Sequence, residues 1–229
     1  MNLYAIGDLH LGFSVEKPMD IFGDNWVSHE LTIKENWESQ IGPEDTVLIP
    51  GDVSWGTRFE EAYEDLKWVD GLPGMKIISK GNHDYWWQSM KKMKGKFETI
   101  AFLHNNFYSY KNIAICGTRG WICPKDADFD EHDLKVYERE GIRLRISLDE
   151  AKKAGYREFI VMLHYPPTND ELSESVFTRI IKEYGVKTVI YGHLHAEGSR
   201  NYTLKGTFDG VSYHLVSADY IGFNPVKLL

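Results

Sequence analysis

Residues 188–195, TVIYGHLH, combine a short apolar run with a glycine and two histidines one residue apart. The run TVIY is too short for a buried helix and predicts a strand of a sheet that is covered on both faces. Gly192 lets the backbone leave the strand sharply, so that His193 and His195 face one crevice. The meaning of this pair depends on which other ligand-type residues reach the same place.

The same order of strand, turn and ligand-type residue occurs at four further places. In open α/β sheets, ligands bind outside the carboxyl ends of the strands, where residues distant in sequence converge. Each motif alone is also consistent with a capped turn or a surface histidine, but their joint occurrence indicates one shared site. The residues are Asp8 and His10 after LYAI (3–6), Asp52 after TVLI (46–49), Asn82, His83 and Asp84 after KII (76–78), and His164 after FIVML (159–163).

The donors in these motifs are oxygen and imidazole, without a thiolate. This mixture suits Mn, Fe, Zn, Co or Ni and is too rich in nitrogen for a dedicated calcium site. The set exceeds the coordination of one ion and fits two divalent ions that share a carboxylate. The predicted ligands are Asp8, His10, Asp52, Asn82, His164, His193 and His195, whereas His29, His104, His132 and His214 stand outside the pattern.

The hydrophobic patterns along the rest of the chain predict a mixed α/β sandwich. A further strand is expected at 113–116, and helices near 28–41, 57–74, 86–94, 131–154 and 173–184. Thr57 and Glu60 form a capping-box signature, and residues 202–223 alternate around an Asp-Gly turn as a closing hairpin. A chain of 229 residues without a linker indicates a single domain over residues 1–229.

Composition restricts the partners and the compartment. A formal net charge of -8 argues against tight binding of nucleic acid and leaves a small phosphorylated substrate, with metal ions supplying positive charge. Cys116 and Cys123 are expected to be reduced thiols, because two cysteines make no disulfide framework. The opening MNLYAIGDLH has no signal-peptide pattern, and no apolar stretch approaches the roughly 20 residues that span a bilayer. We therefore expect a cytoplasmic protein; its oligomeric state stays open.

In order and spacing, these motifs resemble the calcineurin-like metallophosphoesterase superfamily, from Asp8-x-His10 to His193-x-His195. The resemblance implies a four-layer αββα sandwich of two mixed sheets flanked by helices, and metal-dependent hydrolysis of a phosphomonoester or phosphodiester. It also implies the distribution of ligands. Asp8, His10 and His195 would hold the first ion, Asn82, His164 and His193 the second, and Asp52 would bridge.

Residues that hold no metal have predicted roles in the reaction. His83 would stabilise phosphoryl charge or protonate the leaving oxygen, and Asp84 would orient the His83 ring. Independently of the resemblance, Arg119 is a predicted phosphate contact, because its guanidinium fork suits that anion; the alternative is a surface arginine. Residues 124–148 are a candidate cap over the crevice.

One position departs from the family pattern. In the family, the aspartate of the Gly-Asp motif is usually followed by a second aspartate three positions later. This chain has Trp55 at that position. Trp55, Trp86 and Trp87 form either an aromatic wall for a flat group or part of the core. The alternative function is a non-catalytic scaffold of the same fold. A metallo-β-lactamase-type hydrolase would require a His-x-His-x-Asp-His run, which HLHAEG does not supply.

Overall fold

A computed structural model describes residues 1–127, 129–195 and 197–229, with only the backbone of Glu197. The chain forms two compact units. The first comprises Met1–Phe102 and Val216–Leu229, and the second comprises Leu103–Leu215. Each unit is built around its own β-sheet.

The described strands and helices, in chain order, are as follows. The strands are β1 (Leu3–Ala5), β2 (Thr46–Ile49), β3 (Met75–Ser79), β4 (Ile100–Leu103), β5 (Tyr108–Tyr110), β6 (Ile113–Gly117), β7 (Glu158–Met162), β8 (Thr188–Tyr191), β9 (Gly206–Phe208), β10 (Val211–Leu215) and β11 (Val226–Lys227). The helices are α1 (His29–Gln40), α2 (Phe59–Gly71), α3 (Met90–Met93), α4 (Glu131–Lys153), α5 (Val176–Glu183) and α6 (Glu197–Arg200), and short 3-10 turns lie at Asp20–Phe22 and Asp24–Trp26. None of these helices is long and apolar enough to cross a bilayer.

The sheet of the first unit has the order β11-β1-β2-β3-β4. Strands β1, β2 and β3 are parallel, and the edge strand β11 pairs antiparallel with β1. Helices α1 and α2 bury Trp37 and Leu66 in the same apolar cluster as Val47 and Ile49 of β2. Because the central strands are parallel, their carboxyl ends lie at one edge of the sheet.

The sheet of the second unit has the order β5-β6-β7-β8-β10-β9. Its four central strands are parallel, and β5 and β9 pair antiparallel at the edges. Leu144 and Leu148 of α4 join Val161 and Phe177 in its core. Helix α4 is also tied to β6, where Gly117 N–H donates to Ser147 Oγ at 3.0 Å. Most of the candidate cap at 124–148 therefore belongs to a helix packed on this sheet; Asp128 lies outside the described residues.

These two mixed sheets flanked by helices confirm the predicted α/β fold class. The six predicted strands are each found within one residue of their expected limits, together with the hairpin β9–β10. Three short strands, β4, β5 and β11, were not predicted. The helix expected over 86–94 is reduced to the single turn α3. That residues 1–229 form one domain stays a prediction.

The predicted capping pair of α2 is wrong by one residue. The helix begins at Phe59, and Glu61 rather than Glu60 reaches back to its start. The Glu61 carboxylate accepts from Thr57 N–H and Oγ1, both at 2.8 Å, and from Arg58 N–H at 3.2 Å. These bonds lower the pKa of Glu61. The helix begins two positions after Thr57 and not one, so the glutamate that reaches back to its start is also one position later.

Candidate metal centre

In the first unit, the loops that follow β1 and β2 run side by side. Asp8 N–H donates to Gly51 O at 3.0 Å, and His10 N–H donates to Asp52 O at 3.0 Å. The parallel pairing of the two strands is thus continued beyond their ends. As a result, three predicted ligands, Asp8, His10 and Asp52, are carried on adjacent stretches of backbone.

The backbone at these ligands is left-handed. The φ angles are 57° at Asp8, 46° at His10 and 53° at Asp52, and in the second unit φ is 72° at His193. Such conformations are costly for residues with a side chain and cluster at functional sites. The sequence led us to expect that glycines make these bends. At Gly7 and Gly192, however, the positive φ lies on the ligand residue that follows the glycine.

The side chains of these three residues are buried and close together. Asp8 is 0% exposed, Asp52 1% and His10 3%. A carboxylate oxygen of Asp8 lies within 4.8 Å of one from Asp52 and within 4.8 Å of a ring nitrogen of His10. Two buried carboxylates at this separation repel each other, and a cation between them removes that repulsion. The donor set therefore fits a divalent transition metal ion.

Glycines allow the loops after β2 and β3 to approach each other. A Cβ atom on Gly81 would overlap the carboxylate and the backbone nitrogen of Asp52. A Cβ on Gly51, whose φ is 91°, would overlap the backbone of Gly81 in turn. Here the glycines serve close packing of backbone, which carries Asn82 and His83 next to Asp52.

Asp84 holds these two loops together through both of its carboxylate oxygens. Its Oδ2 accepts from Asp52 N–H at 2.9 Å and Gly81 N–H at 2.7 Å. Its Oδ1 accepts from Val53 N–H at 3.0 Å and Trp86 Nε1–H at 2.9 Å. Burial, followed by the charge of Asp52, raises the pKa of Asp84, while the N–H donors act in the opposite direction.

These bonds correct the role predicted for Asp84. Its partners among the described residues are backbone and indole N–H groups, and the His83 ring is not one of them. Asp84 thus positions the backbone around Asp52 and does not orient the His83 ring. His83 is instead tied to the site through its own backbone N–H, which donates to Asp52 Oδ1 at 2.8 Å.

The His83 ring lies against Trp55, the residue that replaces the family's aspartate. The centroids of these rings are 4.5 Å apart. The Trp55 indole also stacks on His10 and donates from Nε1 to Met19 Sδ at 3.0 Å. The alternative of a core role is confirmed for Trp86, which is 1% exposed. Trp55 and Trp87 pack against the same core but are only partly buried.

A structural partner of the Asp8–His10 loop was not predicted. His29 is 8% exposed and stands outside the strand-end pattern, because it follows no strand. Its Nε2 lies 3.0 Å from Leu9 O and its Nδ1 lies 3.1 Å from Trp26 O. Leu9 stands between Asp8 and His10, so His29 fixes the backbone that carries two candidate ligands. No signal in the sequence identifies this contact.

In the second unit, the strand ends bring His164 and His193 together. Gly192 N–H donates to His164 O at 3.1 Å, and the centroids of the two imidazole rings are 5.1 Å apart. Tyr165 covers the other side of His193, with ring centroids 4.2 Å apart. His164 is 0% exposed, whereas His193 and His195 are half-buried. His164 and His195 are also candidate metal ligands by residue type.

Arg119, the predicted phosphate contact, lies in a cluster around the buried carboxylate of Glu140. Its Nη2 is 3.9 Å from Glu140 Oε1, and its guanidinium lies 4.3 Å from the Trp121 ring centroid. Arg143 and Arg139 approach the same oxygen at 2.6 and 3.8 Å. Burial lowers the pKa of Arg119, against the opposing effect of Glu140. The three arginines carry more positive charge than this one carboxylate neutralises, and the surplus suits an anion.

Strand ends that carry buried carboxylates and imidazoles define a candidate metal-binding scaffold. The sequence profile of the calcineurin-like phosphoesterases matches residues 1–197, and the chain belongs to this family. The family membership predicted from the motifs is thereby confirmed.

Two phage proteins and one crystal structure are similar to this chain. The Gene 66 protein of Mycobacterium phage L5 is 25% identical over 195 residues, which cover 85% of this chain and 78% of the phage protein. The Gene 66 protein of Mycobacterium phage D29 is 27% identical over 198 residues, covering 85% and 79%. The crystal structure of the protein of unknown function AQ665 from Aquifex aeolicus is similar to this chain with a TM-score of 0.54 and 19% sequence identity. The match covers 99% of this chain and 95% of that chain, and it supports the fold alone.

Proposed function

We propose that the protein is a metal-dependent phosphoesterase that hydrolyses a phosphomonoester or phosphodiester of a small molecule in the cytoplasm. The observation that carries the proposal is the cluster of Asp8, His10 and Asp52. All three are buried donors on left-handed backbone in a chain of the calcineurin-like phosphoesterase family. A carboxylate oxygen of Asp8 lies within 4.8 Å of a ligand atom of His10 and within 4.8 Å of one of Asp52.

Seven residues would hold two divalent ions, with manganese as the first ion to test. Asp8, His10 and His195 belong to the first ion and Asn82, His164 and His193 to the second, with Asp52 shared. Loss of any of these ligands should lower metal content. When bound, the ions offset the carboxylate charge and lower the pKa of water for attack on phosphorus.

His83 is the proposed general acid. Its backbone bond to Asp52 and its ring contact with Trp55 support a fixed position beside the candidate ligands. From there an imidazolium N–H would donate to a phosphoryl oxygen or to the leaving oxygen. Asp84 acts on this step indirectly by holding the loops of Asp52 and Gly81. Arg119, with the surplus positive charge around Glu140, is the proposed phosphate contact.

The test is elemental analysis of the purified protein, paired with a panel of monoester and diester substrates assayed with added Mn, Fe, Zn, Co or Ni. We expect about two bound ions per chain and turnover that a chelator abolishes and metal restores. Metal binding without turnover of any ester would instead favour a non-catalytic scaffold. Absence of bound metal under all conditions would overturn both.

A further inference from the structure

A cavity of about 620 Å³ lies in the first unit beside the candidate ligand His10. It is lined by residues from two stretches, 10–20 and 26–30, and we call it the His10 cavity. Its volume falls in the range of pockets that hold a small organic molecule. His10 is itself part of the lining, so the cavity borders the loop that carries this candidate ligand.

The floor of the His10 cavity is apolar. Leu11, Met19 and Trp26 are 1%, 7% and 3% exposed and belong to the core of the unit. Trp26 also contacts the His10 ring edge-on, with centroids 5.9 Å apart. The floor is therefore rigid and adapted to carbon surface rather than to a sugar or a second phosphate.

The rim adds exposed apolar side chains to this floor. Phe13 is 48% exposed and Val27 is 58% exposed, and both line the cavity. The Phe13 ring rests on Trp68, with centroids 5.8 Å apart, and its backbone N–H donates to Asp65 Oδ1 at 2.8 Å. An aromatic ring held in this way offers a preformed contact for a flat or aliphatic guest.

The charges of the lining exclude further anionic groups. Glu16, Asp20 and Glu30 contribute carboxylates, whereas Lys17 contributes an ammonium group that lies 5.3 Å from the Trp55 ring centroid and donates to Trp55 O at 3.3 Å. Three carboxylates against one ammonium group repel an additional phosphate or sulfonate.

We propose that the His10 cavity binds the organic part of the phosphoester and selects an apolar group that is uncharged or cationic, such as an aryl or alkyl group. The inference rests on the proposed function, and it separates such esters from nucleoside polyphosphates and other multiply charged phosphates. Apolar contact at Phe13 provides the affinity, and the carboxylates of the rim provide the selection against anions.

The first test compares three aryl phosphates with the metal-loaded protein: phenyl phosphate, 2-naphthyl phosphate and 6-sulfo-2-naphthyl phosphate. We expect kcat/KM to be about fivefold higher for naphthyl than for phenyl, because the second ring buries more apolar surface. The sulfonate should lower kcat/KM about fivefold by charge repulsion. Equal values for the three esters, or preference for the sulfonate, would overturn the proposal.

Two variants with matched controls assign these preferences to the His10 cavity. Phe13→Ser should abolish the preference for naphthyl, whereas Phe208→Ser, at a phenylalanine 44% exposed in the second unit, should leave it unchanged. Glu16→Lys should remove the discrimination against the sulfonate, whereas Glu38→Lys, on the exposed side of α1, should not. If a control variant altered the substrate preference as much as the cavity variant it is matched with, the assignment of that preference to the His10 cavity would be contradicted.

Binding of 2-naphthol by calorimetry separates this inference from the proposed function. We expect binding that Phe13→Ser weakens about fivefold and Phe208→Ser leaves intact. Such binding in a protein that hydrolyses none of the esters would retain the cavity and reject the phosphoesterase function. Hydrolysis without any dependence on Phe13, together with absent naphthol binding, would reject the cavity and retain the function.

Discussion

The indole of Trp55 stacks on the imidazole of His10, with ring centroids 4.8 Å apart and an interplanar angle of 25°. The same indole contacts His83, so one side chain supports both a candidate metal ligand and the proposed general acid. In the family pattern this position carries a carboxylate. Here an aromatic side chain packs against the His83 ring.

Trp55→Ala is expected to lower kcat about tenfold while leaving metal content nearly unchanged, because aromatic contacts contribute about 0.5–1.5 kcal/mol each. Trp55→Phe should retain most of the activity, since it keeps an aromatic face. Steady-state kinetics and elemental analysis of the same preparations check both statements. Equal activity of the alanine and phenylalanine variants would show that the ring contact has no role in turnover.

His83→Ala and Asp52→Asn should fail in different ways. Loss of His83 is expected to reduce kcat by about 10²-fold or more while the ions stay bound, since it removes a proton donor rather than a ligand. Asp52→Asn should lower metal content and abolish hydrolysis together, because the bridging carboxylate is lost. Elemental analysis beside kinetics distinguishes the two. Metal loss in the His83 variant would identify a ligand instead of an acid.

Gly81→Ala is expected to destabilise the protein by more than about 2 kcal/mol and to lower metal affinity, because the new methyl group overlaps Asp52. Gly71→Ala is the matched control. A Cβ at Gly71, the last residue of α2, meets no atom within 4 Å, and alanine there should be neutral or stabilise by up to about 1 kcal/mol. Denaturant unfolding measures both, and similar values would contradict the close approach of the two loops.

Asp84→Asn is expected to cost roughly 2–3 kcal/mol, because an amide NH₂ would face N–H groups that now donate to a carboxylate. Asp130→Asn serves as the control, since Asp130 caps α4 by accepting from Asp133 N–H at 2.9 Å and asparagine caps helices equally well. Its effect should stay within about 0.5 kcal/mol. Chemical denaturation checks the difference, and a neutral Asp84 variant would remove its positioning role.

The local part of the site could be predicted from sequence, whereas its long-range part could not. Strand ends followed by Asp8, His10, Asp52 or His164 are visible because β-branched runs and the residues after them are contiguous. Two partners of Asp84, the N–H groups of Asp52 and Val53, lie in a loop 32 and 31 residues away. The contacts of Trp55 and His29 likewise depend on how loops pack. Similarly, β5 and β11 span three and two residues, too few for a period to be recognised.

Cys116 and Cys123 give a prediction for pH that is independent of the metal centre. Both are free, buried thiols, and burial raises the pKa of each to about 12. In the unfolded chain a thiol has a pKa of about 8.5, so above that pH the unfolded state loses the thiol proton while the folded state still keeps it. Each thiol therefore lowers the free energy of unfolding by up to about 1.4 kcal/mol per pH unit between about pH 8.5 and 12.

Relative to a Cys116→Ala/Cys123→Ala variant, the wild type should thus lose stability as pH rises from about 8.5 to 10.5, and the two should run parallel below about pH 8. Urea denaturation across this range measures the difference, in which other titrating groups cancel. A thiol reagent at pH 8 should modify neither cysteine in the folded protein and both after unfolding. Rapid modification of the native protein, or a pH-independent difference, would show that these thiols are not held in a buried environment.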